Sequence, residues 1–332
     1  MPMIKESSAQ TLVVNGWEGT RGVEEHPGVI KYHSINLFLC RRNPKMPGLS
    51  WNEFVDYVKN PSHSFVDDGE GGIIILTHPY LYNQKEFIKF TNTIDLTKIT
   101  GIDITHCQSG PIVEQLWDRL LIKCYDENRV FLWGFGCDDH EHFLSWTWAL
   151  MDTLSEAALK QAFINGAFYA SSGVIINDIC VKKGKITLNM PEETIVIWLT
   201  SNNRELKRDI NVKKTDYTLN DSDRTTIPDK SRFIRALLYR KGCYAWTNPF
   251  RIILSDSLEN PYGKGGKWYK STTHNHSDLA AGKRKNFEKL FQDYADSGYT
   301  AAFHTPYGYW HQKEYQFPLG KRPLINGLLP DR

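Results

Sequence analysis

The chain has little that would tie it to a membrane, a polyanion or an oxidising compartment. No stretch approaches the ~20 consecutive apolar residues of a membrane span, and residues 1–10 (MPMIKESSAQ) hold no apolar run of signal-peptide type. Neither sign of charge is in surplus, with 40 Lys and Arg against 38 Asp and Glu. Without a basic block, a surface built to follow phosphate backbones is not expected. The six cysteines, Cys40, Cys107, Cys124, Cys137, Cys180 and Cys243, form no C-x-x-C pair, so reduced thiols are expected rather than a disulfide or zinc framework. Repeats and low-complexity tracts are missing as well. These absences predict a soluble, cytoplasmic protein, with no membrane and with nucleic acid an unlikely partner.

What is present is a globular composition. The 332 residues are 41% hydrophobic and 23% charged, and a chain of this length can bury roughly three quarters of its unfolded surface in one or two domains. Residues 11–150 read as short strands alternating with helices, the pattern of parallel βα units. Strands are predicted at 11–14, 30–40, 72–77, 101–105 and 129–134, and helices at 51–58, 112–122, 141–151 and 154–165. The last of these helices has Ser155 as N-cap and Gly166 as its stop. From about 172 to 254 only strands and turns are expected, as in a small β-sandwich or an antiparallel extension of the sheet. Beyond the loop at 255–267 the pattern resumes with a strand at 268–276, a helix at 283–297 and a strand at 299–304. The helix carries Phe287, Leu290, Phe291 and Tyr294 on one face.

Eleven histidines stand out because several sit beside carboxylates or at strand ends. In Ser271-Thr-Thr-His274-Asn-His276-Ser-Asp278, two imidazoles at i and i+2 share one face of a strand and can address one ion. Gly136-Cys-Asp138-Asp-His140-Glu-His142 repeats the spacing with a carboxylate, although Asp138 or Asp139 would serve equally as a helix cap. Glu18 in Asn15-Gly-Trp-Glu18-Gly-Thr20 falls just past a predicted strand end. His78 in Leu76-Thr-His78-Pro79 ends a buried one, where a core histidine is the plainer reading. Parallel strand ends converge on one face of a β/α fold, so six or seven such side chains on one rim describe a multinuclear metal site.

These motifs resemble the polymerase and histidinol phosphatase (PHP) domain, a distorted (β/α)7 barrel. Residues 268–299 are similar to its opening H-x-H strand and following helix, 12–20 to its G-x-E unit, 31–39 to the next strand with His33, 71–79 to its H-P strand, and 134–140 to its D-x-H element. Residues 154–173 and 233–249, ending in AWTNP, resemble the carbaryl-hydrolase-like branch. The family's first motif comes last here, so the resemblance implies a circularly permuted α/β barrel or a piece of two tandem units. One copy of each element favours permutation. On that reading residues 1–171 form the main part of the barrel, 172–254 a small antiparallel β-rich subdomain, and 255–332 the remaining barrel part.

The resemblance implies two divalent transition-metal ions, Zn, Mn or Fe. One would be held by His274, His276, Glu18 and Asp138, the other by Glu18, His33 and His78. A third would need His140 and a T-D-H pair, but Pro306 and Tyr307 stand where that Asp and His belong, so it is expected to be weak or absent. The implied activity is hydrolysis, preferentially of phosphate esters, by hydroxide bridged between the two metals. Asp138 and His140 would belong to the catalytic set, Arg21 would bind a phosphate oxygen, and His304 or His142 would protonate the leaving group. A carboxyl-ester, carbamate or amide metallohydrolase is the nearest alternative. A non-catalytic carbohydrate-binding or scaffold protein on a decayed barrel is the other, prompted by ten tryptophans and 13% aromatics.

Overall fold

The computed structural model describes residues 11–26, 29–38, 50–64, 66–79, 84–105, 111–127, 129–138, 143–219, 233–253, 257–275 and 287–305. Its first half holds β1 (Leu12–His26), β2 (Val29–Phe38), α1 (Trp51–Lys59), β3 (Ile73–Thr77), α2 (Gln84–Thr91), β4 (Gly101–Thr105), α3 (Pro111–Asp126), β5 (Trp133–Gly136), β6 (Trp146–Met151), α4 (Glu156–Asn165) and β7 (Phe168–Ser171). The second half holds β8 (Asp178–Lys182), β9 (Lys185–Thr200), β10 (Arg204–Thr218), β11 (Phe233–Arg240), β12 (Cys243–Thr247), β13 (Phe250–Arg251), β14 (Lys267–Thr272), α5 (Phe287–Asp296) and β15 (Ala301–His304). Among the described residues no helix is long and apolar enough to cross a membrane.

Local chemistry accounts for the helices that were expected. Ser50 and Glu53 form a reciprocal capping box at the start of α1, whose Trp51, Phe54, Val55 and Val58 repeat at helical spacing and are buried. Ser155 caps α4 by accepting from the Ala158 N–H, and Gly166 ends it in the left-handed conformation at φ 70°. The apolar run of β3 is buried along its whole length, as befits a strand covered on both faces.

The expected (β/α)7 barrel does not form. The strands lie in one mixed sheet in the order β10-β9-β11-β12-β7-β6-β14-β15-β1-β2-β3-β4-β5, with β8 added to β9 and β13 to β11. Among the described residues the path stays open, because β5 pairs only with β4 and β10 only with β9. Three local causes oppose a parallel barrel. Only Pro27 and Gly28 separate β1 from β2, which suits a hairpin, whereas a parallel neighbour needs a crossover of about a dozen residues or more. β2 therefore runs antiparallel to both β1 and β3. The segment at 141–151, expected to be helical, contains β6, which pairs antiparallel with β7 and β14. Its burial alternates strictly, but Trp146, Trp148 and Leu150 on the less buried face are themselves apolar, so the period of two is hidden in the sequence. Finally, β10 is a highly charged edge strand, a composition that guards an edge and hides the strand from a hydrophobicity pattern.

The strands at 178–251 belong to the same sheet through the pairing of β12 with β7, and they cover their own core around Tyr169, Trp198, Ile234, Leu238 and Tyr262. A larger core gathers α1, α3 and α4 against β3, β4 and β5 through Phe54, Ile74, Trp117, Phe135 and Phe163. The strands carrying the sequence motifs, β14, β15, β1, β2, β3 and β5, lie in one run of the sheet, with β4 between β3 and β5.

Side chains, not a backbone ladder, hold β5 against β6 and β7. Thr147 Oγ1 accepts from the Gly136 N–H at 2.9 Å and donates to the Gly136 carbonyl at 2.9 Å. Asn248 of the AWTNP segment is fully buried. It accepts from the Gly134 N–H at 2.8 Å and donates to the carbonyls of Gly166 at 3.1 Å and Phe168 at 3.0 Å. Replacing Asn248 with Leu leaves the buried Gly134 N–H without its partner, while the Phe168 carbonyl keeps the Tyr262 hydroxyl and the Gly166 carbonyl keeps the Phe168 N–H, and is expected to lower stability by about 2 kcal/mol. Urea unfolding measures this, and a loss under about 1 kcal/mol would show that other contacts hold β5.

Candidate functional site

Three of the predicted ligands sit where strands stop. His78 follows β3, His274 follows β14 and Asp138 follows β5. The imidazoles of His78 and His274 meet with ring centroids 4.8 Å apart, and both residues are buried. His78 adopts φ 53°, left-handed backbone that a histidine tolerates at a cost on the order of 1 kcal/mol and that breaks the side-chain alternation of its strand. Asp138 is tied to the same end of the sheet, because Thr273, next to His274, donates to the Gly136 carbonyl at 3.2 Å.

The Asp138 carboxylate is fully buried. Its Oδ1 accepts from the Leu144 N–H at 3.2 Å and its Oδ2 from the Tyr294 hydroxyl at 3.0 Å. Among the described residues no helix follows Asp138 before β6; through Leu144 the residue is tied to the segment that leads into β6. Burial, and then the Asp138 charge, hold the Tyr294 hydroxyl well above its ordinary pKa, so it stays a proton donor. Lys270 on β14 lies 4.0 Å from the ring centres of both Trp146 and Tyr299 and donates to the Ser297 carbonyl at 3.1 Å. Burial lowers its pKa to about 8, against the opposing pull of Asp138.

The rest of the predicted set is placed by backbone alone or not at all. Glu18 is not past a strand end but inside the long β1, opposite Asn36, while Arg21 faces His33 on β2. Ser34 pairs with Thr77 at the last rung of the β2–β3 ladder, so His33 and His78 each stand one residue past it. His304 ends β15 opposite Asn15. The side chains of Glu18, Arg21, His33 and His304 are not among the described parts, and His140, His142, His276, Asp278, Pro306 and Tyr307 lie outside the described residues. Among the described residues no group of three or more His, Cys, Asp or Glu is arranged to hold a metal ion. Two clefts, of about 480 and 560 Å³, lie elsewhere, one beside Glu192, Tyr239 and Arg240 and the other beside Asp152, Ser155 and Lys264.

Several residues at this end of the sheet escaped the sequence reading. Asp103 on β4 is buried and accepts from the Cys137 thiol at 2.5 Å. A carboxylate inside the apolar strand GIDIT was the available signal, since such a side chain is seldom fully buried without purpose. Thr77 and Asn275, neighbours of the two histidines, are buried, and the Thr77 hydroxyl and both polar atoms of the Asn275 amide have no hydrogen-bond partner among the described residues. Tyr294 was expected only as packing.

The Lys270 environment predicts a pH dependence of stability. With a folded pKa near 8 against 10.5 unfolded, the folded chain binds fewer protons between those values, so stability rises as pH rises through that window. Lys59, buried near Lys160, is also lowered to about 8 and adds a slope of the same sign. The urea midpoint should therefore increase from pH 8 to 9.5, each lysine contributing about 1–2 kcal/mol, and Lys270→Met should remove part of the rise. A wild-type midpoint that is flat or falling over this range contradicts the assignment.

Comparison with known proteins yields no match of any kind: no family profile, no curated protein and no solved structure resembles the chain closely enough to be named.

Proposed function

We propose that the chain is a metal-dependent hydrolase, preferentially a phosphoesterase, acting at the ends of β3, β5 and β14. The observation that carries this reading is the ring contact between His78 and His274, at 4.8 Å, from strands at opposite ends of the sequence. Two buried imidazoles in ring contact are donors that suit Zn, Mn or Fe. On the ligand sets that the resemblance implies, His274 and Asp138 would hold one ion with His276 and Glu18, and His78 would hold a second with Glu18 and His33. A bound ion would supply Lewis acidity and an activated water for attack on an ester.

The chain's own groups would do the rest. Arg21, opposite His33 on the hairpin, would orient an anionic substrate oxygen, and His142 or His304 would pass a proton to the leaving group. Asp103 and Asp138, both buried, add negative charge that favours a cation. The four described cysteines, Cys124, Cys137, Cys180 and Cys243, are free, which suits a reducing, cytoplasmic setting.

Elemental analysis of the purified protein tests the reading directly. At least one equivalent of transition metal is expected, with His78→Ala and His274→Ala each weakening its retention by tenfold or more. A chain that holds less than one equivalent and takes up none on addition refutes it. A panel of p-nitrophenyl phosphate, phosphodiester and acetate substrates then separates phosphoester from carboxyl-ester hydrolysis.

A further inference from the structure

We propose that the outward face of β9, β11 and β12, together with the cleft beside Tyr239, binds a neutral oligosaccharide. The site needs no metal and stands apart from the hydrolase reading. Lys241 and Gly242, at φ 48° and 82°, close β11 and β12 into a tight hairpin. That turn sets Tyr239 opposite Tyr244, and the period of two places Leu237, Tyr239, Tyr244 and Trp246 on one face. Ile195 and Ile197 join this face from β9, opposite Tyr239 and Leu237. The other face, with Val196, Trp198, Ala236, Leu238 and Ala245, is buried.

Trp246 and Leu237 pack against the core around α3, and Trp246 is fixed by donating its Nε1–H to Glu114 at 2.8 Å. Beyond them the face is uncovered. Ile195, Ile197, Tyr239 and Tyr244 belong to none of the buried cores among the described residues, and Tyr244, 38% exposed, is the most exposed aromatic side chain among them. Its ring stacks on Trp246 at 5.5 Å and meets Tyr239 at 5.0 Å, so the aromatic row is set before any ligand arrives.

Tyr239 also lines the cleft of about 480 Å³, with Ile195, Glu193, Asn211, Lys213 and Lys241. A bulge in β10, where the register shifts between Asp209 and Val212, holds Asn211 at φ 56° and brings it to the cleft. Arg240 and Glu192, at the same rim, neutralise one another at 2.7 Å. The side chains of Glu193, Asn211, Lys213 and Lys241 make no hydrogen bond or ion pair among the described residues. Unengaged donors and acceptors therefore stand beside an aromatic ring. A sugar offers the matching chemistry, with an apolar C–H face that packs on such a ring and hydroxyls that each donate and accept. A polyanion needs a surplus of cations, which two lysines, one carboxylate and a closed ion pair do not supply.

The test titrates the full chain, in the presence of a chelator, with cellohexaose, xylohexaose and maltohexaose by calorimetry, as wild type, Tyr239→Ala and Tyr244→Ala. At least one of the sugars should bind the wild type with a Kd below ~1 mM, and each substitution should weaken it about tenfold or more with unchanged circular dichroism. Binding of none of them, or binding that survives both substitutions, overturns the proposal. So does tighter binding of heparin or an oligothymidylate that the same substitutions abolish, which gives the face to a polyanion. Where alanine at a tyrosine unsettles the hairpin, Glu193→Ala and Lys213→Ala, both on exposed side chains, take its place. They should weaken the same sugar about threefold or more, and unchanged affinity in both overturns the proposal. None of these outcomes touches the hydrolase reading, which metal analysis decides separately.

Discussion

The approach of β5 to β6 at Gly136 governs how the site end of the molecule is built. A Cβ at Gly136 would stand 2.2 Å from the Trp146 carbonyl oxygen, so only glycine allows the two backbones this close. The strands exchange no backbone ladder there, yet buried peptide groups still need partners. Thr147 serves both the N–H and the carbonyl of Gly136, Thr273 adds a second donor to that carbonyl, and Asn248 completes Gly134. Neutral side chains thus do between β5 and its neighbours what hydrogen-bonded pairing does elsewhere in the sheet. The exits of β5 and β14, and with them Asp138 and His274, are drawn together as a result.

The polar groups at this end of the sheet are ones an apolar core would not retain for stability alone. Asp103, Asp138, His78, His274 and Asn275 are all buried, and burying such groups is unfavourable unless each is satisfied. His78 adds left-handed backbone directly before Pro79. Around them the aromatic cluster of Tyr294, Tyr299, Phe143 and Trp146 packs beside Asp138 and the half-buried Lys270, and burial depresses the lysine and raises the tyrosine hydroxyls. Local strain and buried charge concentrated at strand ends are what a preorganised binding site requires.

Much of the local structure was legible because its causes are local. Ser50 with Glu53, Ser155 with Gly166, and the unbroken apolar run at 73–77 name their elements by capping and periodicity alone. The strand at 146–151 was illegible because both its faces meet apolar surroundings, and the strand at 204–218 because an exposed edge demands charge rather than alternation. Among site residues, the histidines and Asp138 were visible as side chains uncommon at strand ends. Tyr294 was not, since its helical spacing is fully explained by packing and its hydroxyl acquires meaning only opposite Asp138.

By itself, then, the sequence determined the helices at 51–59 and 156–165 and the buried strand at 73–77, that no long apolar helix is available to cross a membrane, and which side chains are of metal-ligating type. Those properties depend on neighbours within a few residues, where capping, periodicity and side-chain type act directly. The tertiary structure alone decided that the strands form an open mixed sheet rather than a barrel, and that His78 and His274 come into contact while Glu18 lies within a strand. Strand direction and pairing are settled by connection length and by which buried faces can be covered, so they depend on residues hundreds of positions apart.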